Sequence, residues 1–189
     1  MSLIEKAMLI DLQDENPERI FFVSDPHFDH ANIIDYCKRP FSDVNEMNHV
    51  IEENWRTMIP SDGRVIFLGD MSFGRGSRSP RWWAERLNGR KIYIKGNHDR
   101  GVGEHSNIKT VDRIAKSGLL ILSGCRIYLN HFPDNIPNDW KGWSVHGHIH
   151  NNGPFLNVGR KRINVSLDVT KFKPVPLTRI LEIIEGKGN

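Results

Sequence analysis

The chain has 189 residues, of which 38% are apolar and 26% charged, values typical of a folded protein and too balanced for a disordered one. Its net charge of +3 permits an anionic partner without requiring one. No apolar run approaches the roughly 18 residues of a membrane span, and no signal peptide is recognisable. With only two cysteines, we expect one domain over residues 1–189 in the reducing cytoplasm, away from membranes.

Short apolar runs alternate with turns and amphipathic segments, the pattern of a layered α/β protein. A capping-box arrangement of Asp43 and Glu46 predicts the start of one amphipathic helix, which ends near Pro60. The elements predicted up to residue 94 are a strand at 20–23, a helix at about 31–38, the helix from 43, a strand at 65–68, a helix at 79–87 and a strand at 92–94.

The second half of the chain contains further apolar runs that predict strands. These lie at 119–122, 127–129, 143–146 and 163–167. The pattern of residues 177–185 fits either a helix or a strand. In open α/β sheets, ligands bind just beyond the carboxyl ends of the strands, so the polar residues at those positions are the candidates for function.

Five polar segments each follow an apolar run by one or two residues. Together they supply carboxylate, amide and imidazole donors without a thiolate, and they exceed the four ligands of one tetrahedral zinc site. Such a set fits two divalent ions about 3.5–4 Å apart that share one carboxylate. The segments are Asp25-Pro26-His27, Gly69-Asp70, Gly96-Asn97-His98-Asp99, His131 and Gly147-His148-Ile149-His150.

The spacing within two of these segments predicts convergence. In an extended chain, positions i and i+2 face the same side. Asp25 and His27 are therefore expected to present their donors together, and so are His148 and His150.

The order DxH, GD, GNHD, single His and GHxH resembles that of the calcineurin-like metallophosphoesterase superfamily. The stretch SDPHFDHANIIDYCKRPF, residues 24–41, is similar to that of small bacterial and phage-type members. The resemblance covers about residues 20–170 and implies an α/β, four-layer fold, in which a two-sheet β-sandwich is flanked by helices. The sequence departs from the usual pattern at Pro26, Phe132 and Ile149.

The resemblance also implies two metal sites that share the carboxylate of Asp70. Mn²⁺ is the favoured ion, with Fe, Zn, Ni, Co and Mg as alternatives. The first metal takes Asp25, His27, Asp70 and His150, and the second takes Asp70, Asn97, His131 and His148.

His98 is implied to be the catalytic histidine, a general acid that protonates the leaving group while a metal-bridging hydroxide attacks phosphorus. We expect Asp99 to orient the His98 ring. Arg100 is a candidate phosphate contact, since a guanidinium can pair two oxygens at once. His30 is either a phosphate contact or a cap of the following helix.

The leading hypothesis is a dimetal phosphoesterase acting on phosphodiesters or phosphomonoesters, preferably small and nucleotide-like. A protein phosphatase is disfavoured, because this chain has GDMSFG and GNHD where those enzymes have GDxVDRG and GNHE. The alternatives are a non-catalytic scaffold with the same fold and a nucleic-acid-binding module with structural metals. The oligomeric state stays open.

The remaining basic and aromatic groups have two interpretations each. The basic segments 75–81 and 160–162 could contact a polyanion, but a solvated surface is preferred, so nucleic acid is not favoured. The paired tryptophans at 82–83 and at 140 and 143 either stack on a base or divide between core and surface. His146 is expected in the core or behind the metal ligands, and His49 and His105 at the surface.

Overall fold

The computed structural model describes residues 3–103, 106–122 and 124–187. His105 therefore lies outside the described residues. The α-helices are α1 (Asn32–Cys37), α2 (Val44–Met58), α3 (Pro80–Arg86) and α4 (Leu177–Ile184). The strands are β1 (Met8–Asp11), β2 (Ile20–Val23), β3 (Arg64–Phe67), β4 (Arg90–Ile94), β5 (Val111–Ala115), β6 (Ser117–Leu122), β7 (Cys125–Asn130), β8 (Trp143–His146), β9 (Leu156–Asn157), β10 (Arg162–Asn164) and β11 (Val175–Pro176).

The strands form two mixed sheets, which confirms the predicted α/β sandwich. The five-stranded sheet has the order β11-β2-β3-β4-β5, in which β2 to β5 are parallel. The six-stranded sheet has the order β1-β6-β7-β8-β10-β9, in which β7, β8 and β10 are parallel. The carboxyl ends of β2, β3 and β4 therefore lie along one edge, where the chain places its first three polar segments.

The main core lies between the two sheets. Alternate residues of the five-stranded sheet, such as Phe22 and Ile66, pack against Leu129 and Val145 of the six-stranded sheet. Helix α4 closes this core with its own apolar side, including Ile180. Because burying apolar surface contributes roughly 25 cal/mol per Å², this core is the main source of stability for the sandwich.

A second core covers the other face of the five-stranded sheet. Phe67 packs there among side chains of α2 and α3, including Trp55 and Trp83. Both faces of β2 and β3 are thus buried, which explains why these strands are continuous apolar runs rather than alternating ones. The outer face of the six-stranded sheet differs, because Tyr128 there is covered by Trp140 of the segment 131–142 instead of an α-helix.

The helix starts follow from local hydrogen bonds. The Asp43 carboxylate accepts hydrogen bonds from the backbone of Asn45 and Glu46, as predicted for an N-cap. The Glu46 carboxylate instead accepts from the backbone N–H of Ser42, one residue earlier than a capping box requires. Ser79 caps α3 through the N–H of Trp82, and Pro80 occupies the first turn, where no N–H is needed.

Four strands have no counterpart in the sequence prediction: β1, β5, β9 and β11. They are short or lie at sheet edges, and β5 is largely exposed, so their apolar pattern is weak. The strand predicted at 163–167 ends at Asn164, and the undecided segment 177–185 is helical. Among the described residues, no helix is long and apolar enough to cross a membrane.

Candidate metal centre

The polar segments of both sheets meet in one place. The N–H of Asp25 donates to the carbonyl of Gly69, and the N–H of His27 donates to the carbonyl of Asp70, at 3.0 and 3.1 Å. The loop after β8 joins them, because the N–H of His148 donates to Asp25 Oδ2 at 2.9 Å. These hydrogen bonds fix the positions of three loops relative to one another.

The backbone in these loops is not extended, so the expected i, i+2 geometry is wrong. Asp25, His27, Asp70, His148 and His150 all have a positive φ, between 47° and 72°. The left-handed conformation costs roughly 1–2 kcal/mol per residue, and such strain concentrates at functional sites. The left-handed turns change the direction of each side chain. The paired residues therefore come together because the backbone turns sharply, and not because side chains alternate along an extended strand.

Asp70 lies between two imidazoles. Its Oδ2 is 3.5 Å from Nε2 of His27 and 3.4 Å from Nε2 of His131. Its Oδ1 accepts a hydrogen bond from the backbone N–H of His98 at 2.8 Å, which fixes the carboxylate plane. Asp70 Oδ2 therefore faces the ring nitrogens of both histidines.

The Asp25 carboxylate is fully buried and has one oxygen free for a ligand. Oδ2 accepts from Ser166 Oγ at 2.7 Å, whereas Oδ1 lies 3.9 Å from Nε2 of both His27 and His150. Donor atoms of Asp25, His27 and His150 lie within 4.8 Å of one another, as do those of Asp25, Asp70 and His131. The two groups share Asp25.

Several buried polar atoms here have no hydrogen-bond partner. They include Asp25 Oδ1 and both ring nitrogens of His27. Leaving such atoms unpaired in the interior costs about 1–3 kcal/mol each, and more for a charge. A divalent cation coordinated by oxygen and imidazole would satisfy Asp25 Oδ1 and His27 Nε2 together.

The donors proposed for a second cation lie on the other side of Asp70. Asn97 Oδ1 is 3.1 Å from Nε2 of His131, and the His148 ring is 5.1 Å from the His131 ring. His131 Nδ1 lies 2.6 Å from the carbonyl oxygen of Leu68. With Nδ1 donating to that carbonyl, a cation that displaces the Nε2 proton would find a lone pair facing Asp70 and Asn97.

The charges in the site favour a cation. Burial raises the pKa of the Asp70 carboxyl, whereas the nearby imidazoles of His131 and His27 lower it. The imidazoles have the larger combined effect, so the pKa falls to about 2. Burial opposes protonation of His131 too, but Asp70 and Asp25 raise its pKa to about 9. Burial lowers the pKa of His27 to about 3, so this ring offers neutral nitrogen. The carboxylates that attract a proton to His131 would equally attract a metal ion.

Glycine is required at two points beside these carboxylates. A Cβ on Gly96 would collide with Asp70 Oδ1, and one on Gly147 would collide with Ser24 and with Asp25 Oδ2. Any larger residue would displace the two carboxylates from their positions.

His98 lies at the boundary between the cluster and an open cleft of about 740 Å³. Its ring is 5.4 Å from the His27 ring and 4.1 Å from the ring of Phe73. We call this space the His98 cleft. Its lining comprises Asp29, His30, Ala31, Asn32, Ser72, Phe73, Gly74, Arg75, Ser77, Ser79, Pro80, His98 and Arg100.

Asp99 does not have the expected orienting role. Its buried carboxylate accepts hydrogen bonds from the N–H groups of Asp70, Met71 and Gly96 and from the hydroxyl of Tyr93, all between 2.6 and 3.0 Å. None of these reaches the His98 ring. Asp99 instead ties the Asp70 loop to the Gly96 loop, because two facing loops leave N–H groups that one carboxylate can satisfy.

The family model described as calcineurin-like phosphoesterase matches residues 18–182. The chain belongs to this family. Membership accounts for the clustered Asp and His donors, since the family typically has a dimetal centre, and it indicates phosphoester hydrolysis on small molecules.

Relatives of this calcineurin-like phosphoesterase occur in an archaeon and a phage. The chain is 40% identical over 173 residues to the uncharacterized protein MJ1445 of Methanocaldococcus jannaschii, with 88% of this chain and 92% of the relative covered. It is 25% identical over 183 residues to the Gene 66 protein of Mycobacterium phage L5, covering 78% of this chain and 86% of the relative.

Among solved structures, the chain is similar to a protein of unknown function from Aquifex aeolicus, AQ665. The TM-score is 0.67 at 24% identity, over 87% of this chain and 98% of that chain. This similarity shows that the two proteins share a fold.

The sequence analysis missed the support behind His150. Asp168 Oδ2 is 2.7 Å from His150 Nδ1, and the same carboxylate pairs with Arg39 through Nε and Nη2. Arg39 also donates to the carbonyls of Asp25 and Pro26, at 2.8 Å each. Burial opposes the shift, but Asp168 raises the pKa of His150 to about 10. Arg39 lies within the stretch 24–41, but nothing in that stretch indicates a pairing with Asp168, which is 129 residues away.

The basic and aromatic residues of segment 75–83 have different surroundings in the fold. Arg78 pairs with Asp29 and stacks on Trp82 and Trp83, whereas Arg75 lines the His98 cleft. Trp83 is buried, so it is a core residue.

The histidines that are not candidate metal ligands lie in different environments. His146 is buried and holds the carbonyl of Gly147 through Nδ1, a position behind the ligand loop. His49 is exposed on α2. His30 is half-buried on the wall of the cleft, and α1 has no side-chain cap, so the capping role expected for His30 is absent.

Proposed function

We propose that the protein is a dimetal-dependent phosphoesterase that hydrolyses phosphodiesters, preferably nucleotide-like ones, with phosphomonoesters as weaker substrates. The observation that carries this proposal is the buried group of unpaired donors, Asp25 Oδ1 and His27 Nε2, beside an Asp70 carboxylate held between two imidazoles. A closed structural site would not leave such atoms next to an open cleft.

These residues would hold two cations, with the carboxylate of Asp70 counted among the ligands of both. When bound, the ions activate a water and stabilise the oxygens around phosphorus. Mn²⁺ is the favoured ion, with Fe, Zn, Ni, Co or Mg as alternatives; carboxylate oxygen suits Mn and Mg, whereas imidazole suits Fe, Zn and Ni. The first site comprises Asp25, His27, Asp70 and His150, and the second comprises Asp70, Asn97, His131 and His148.

His98 protonates the leaving group. Its backbone is held by Asp70 Oδ1 and its ring packs on Phe73, so the imidazole is positioned beside the metal ligands without being one of them. A positioned acid of this kind contributes about 10²–10⁴-fold to an ester hydrolysis. Arg100 and His30, both on the cleft wall, contact phosphate oxygens of the substrate, since a guanidinium can donate two parallel hydrogen bonds to them.

The function is tested with bis(p-nitrophenyl) phosphate after chelation and re-addition of Mn²⁺, Ni²⁺ or Mg²⁺. Turnover should be lost on chelation and return with at least one ion. A folded protein that hydrolyses nothing with any of these metals would be a non-catalytic scaffold instead.

The role of His98 is tested by His98→Asn, with the exposed His49→Asn as a matched control. The His98 variant should keep both cations and lose at least about tenfold more activity on alkyl esters than on p-nitrophenyl esters, whose leaving group needs no proton. Equal losses on both classes of ester would exclude His98 as the general acid. His49→Asn should change neither rate.

A further inference from the structure

The His98 cleft is too large to serve the scissile phosphate alone. Its volume of about 740 Å³ lies within the range of sites that hold drug-sized ligands, about 300–1,000 Å³. Under the proposed function, the scissile phosphate would lie beside the donors of Asp25, His27 and Asp70, with the leaving oxygen near His98. The part of the substrate attached to that oxygen therefore extends into this cleft.

The charge on the cleft wall is positive. Arg75 and Arg100 are both exposed, and neither guanidinium is paired with a carboxylate of residues 3–103, 106–122 or 124–187. Among the described residues, Asp29 is the single carboxylate on the wall, and its oxygens already have hydrogen-bond partners. It accepts hydrogen bonds from the guanidinium of Arg78, from Trp83 Nε1 and from Asn48 Nδ2.

The neighbouring basic residues do not extend this positive surface. Arg78 is committed to Asp29, and Arg81 pairs with Glu85 one helical turn away. The positive charge is thus restricted to Arg75 and Arg100 within the cleft, rather than forming the long stripe that tracks a nucleic-acid backbone. Such a pair of guanidinium groups suits one compact dianion, because each group can donate two parallel hydrogen bonds to phosphate oxygens.

We infer that the preferred substrate is a small phosphodiester whose leaving group carries a phosphate of its own, bound between Arg75 and Arg100. This inference rests on the proposed function. In the reaction, water supplies the new oxygen on phosphorus, the bond from phosphorus to the leaving oxygen breaks, and that oxygen takes a proton. The second phosphate is not cleaved and serves only to bind and orient the leaving group.

The test compares dinucleotides that differ only in a terminal phosphate. Thymidylyl-thymidine is assayed beside its 5′-phosphorylated and 3′-phosphorylated forms with the Mn²⁺-loaded enzyme. We expect a higher kcat/KM for the form whose extra phosphate is on the leaving nucleoside. The increase over the unphosphorylated dinucleotide should be at least about tenfold, the scale expected for hydrogen bonds between charged groups.

Two variants assign this preference to residues. Arg75→Ala should reduce the ratio of kcat/KM between the phosphorylated and unphosphorylated dinucleotides by about tenfold. The control Arg81→Ala also removes one arginine, but from outside the cleft lining, and should keep the wild-type ratio.

The outcomes separate the inference from the proposed function. If bis(p-nitrophenyl) phosphate is hydrolysed but all three dinucleotides react equally, the second-phosphate site is refuted while the phosphoesterase stands. The site is also refuted if Arg75→Ala and Arg81→Ala reduce the ratio of kcat/KM between phosphorylated and unphosphorylated dinucleotides equally. A rate that rises steadily with longer oligonucleotides refutes it too. If no ester is hydrolysed with any metal, both proposals fail.

Discussion

The contact between Asp168 and His150 should control one cation more than the other. Asp168→Asn keeps the size of the side chain but removes the charge that holds His150 Nδ1 at 2.7 Å. A carboxylate behind a ligating imidazole fixes the ring and raises its basicity, and its loss typically costs about 10–100-fold in metal affinity. We expect that weakening at the site containing His150, and little change at the site containing His131.

The same substitution should also destabilise the fold. The Arg39 guanidinium is buried and would lose its charged partner, a change that costs about 3–5 kcal/mol when nothing else compensates. Arg39 keeps its hydrogen bonds to the carbonyls of Asp25 and Pro26, so we expect a loss near the lower end of that range. Arg39→Met combined with Asp168→Asn should cost less than the sum of the single changes.

Calorimetric titration of the chelated protein with Mn²⁺ measures the two affinities, and denaturant unfolding measures the stability. Glu85→Gln is the control, because it breaks an exposed pair with Arg81 and should cost less than about 1 kcal/mol. If the folded Asp168→Asn protein binds both Mn²⁺ ions with wild-type affinity, the proposed support of His150 is refuted.

Three further changes test other parts of the structure. Asp70→Asn should weaken both cations at once, and calorimetry that finds one site intact would contradict the bridge. Gly96→Ala should lower the affinity for both ions, because its Cβ displaces Asp70 Oδ1; unchanged titration curves would show that the loop adapts. Burial lowers the pKa of Lys91 to about 7 against the usual 10.5, so the folded protein releases this proton first and stability rises with pH above 7. The unfolding free energy of wild type relative to Lys91→Met should therefore increase by about 2–3 kcal/mol from about pH 6 to pH 9. The exposed Lys109→Met variant is the charge control. If the difference between wild type and Lys91→Met does not vary with pH, this reasoning is refuted.

The main strands and the candidate ligands could be predicted because each depends on a short pattern. The apolar runs of β2 and β3 are local, and the polar segments follow them directly, so parallel strands bring Asp25 and Asp70 to one edge. The weak edge strand β5 could not be predicted, since Ile114 is its single buried residue and its pairing with β4 supplies the stabilisation.

The role expected for Asp99 was wrong for a related reason. Its position next to His98 in the chain suggested a contact, but the loop turns its carboxylate toward the N–H groups of Asp70 and Gly96. Neighbours in sequence do not share a direction when the backbone between them is neither helix nor strand.

The amino-acid sequence by itself determined a layered α/β protein, the positions of its main strands along the chain and the set of oxygen and imidazole donors, because these follow from local hydrophobic runs and from the residues that terminate them. The two-sheet sandwich was implied by the family resemblance of the motifs. Only the tertiary structure decided the left-handed turns that aim those donors, the support of His150 by Asp168 and Arg39, and the positive wall formed by Arg75 and Arg100. These features join residues that are distant in the chain, and no local pattern encodes a contact whose two partners are selected by packing.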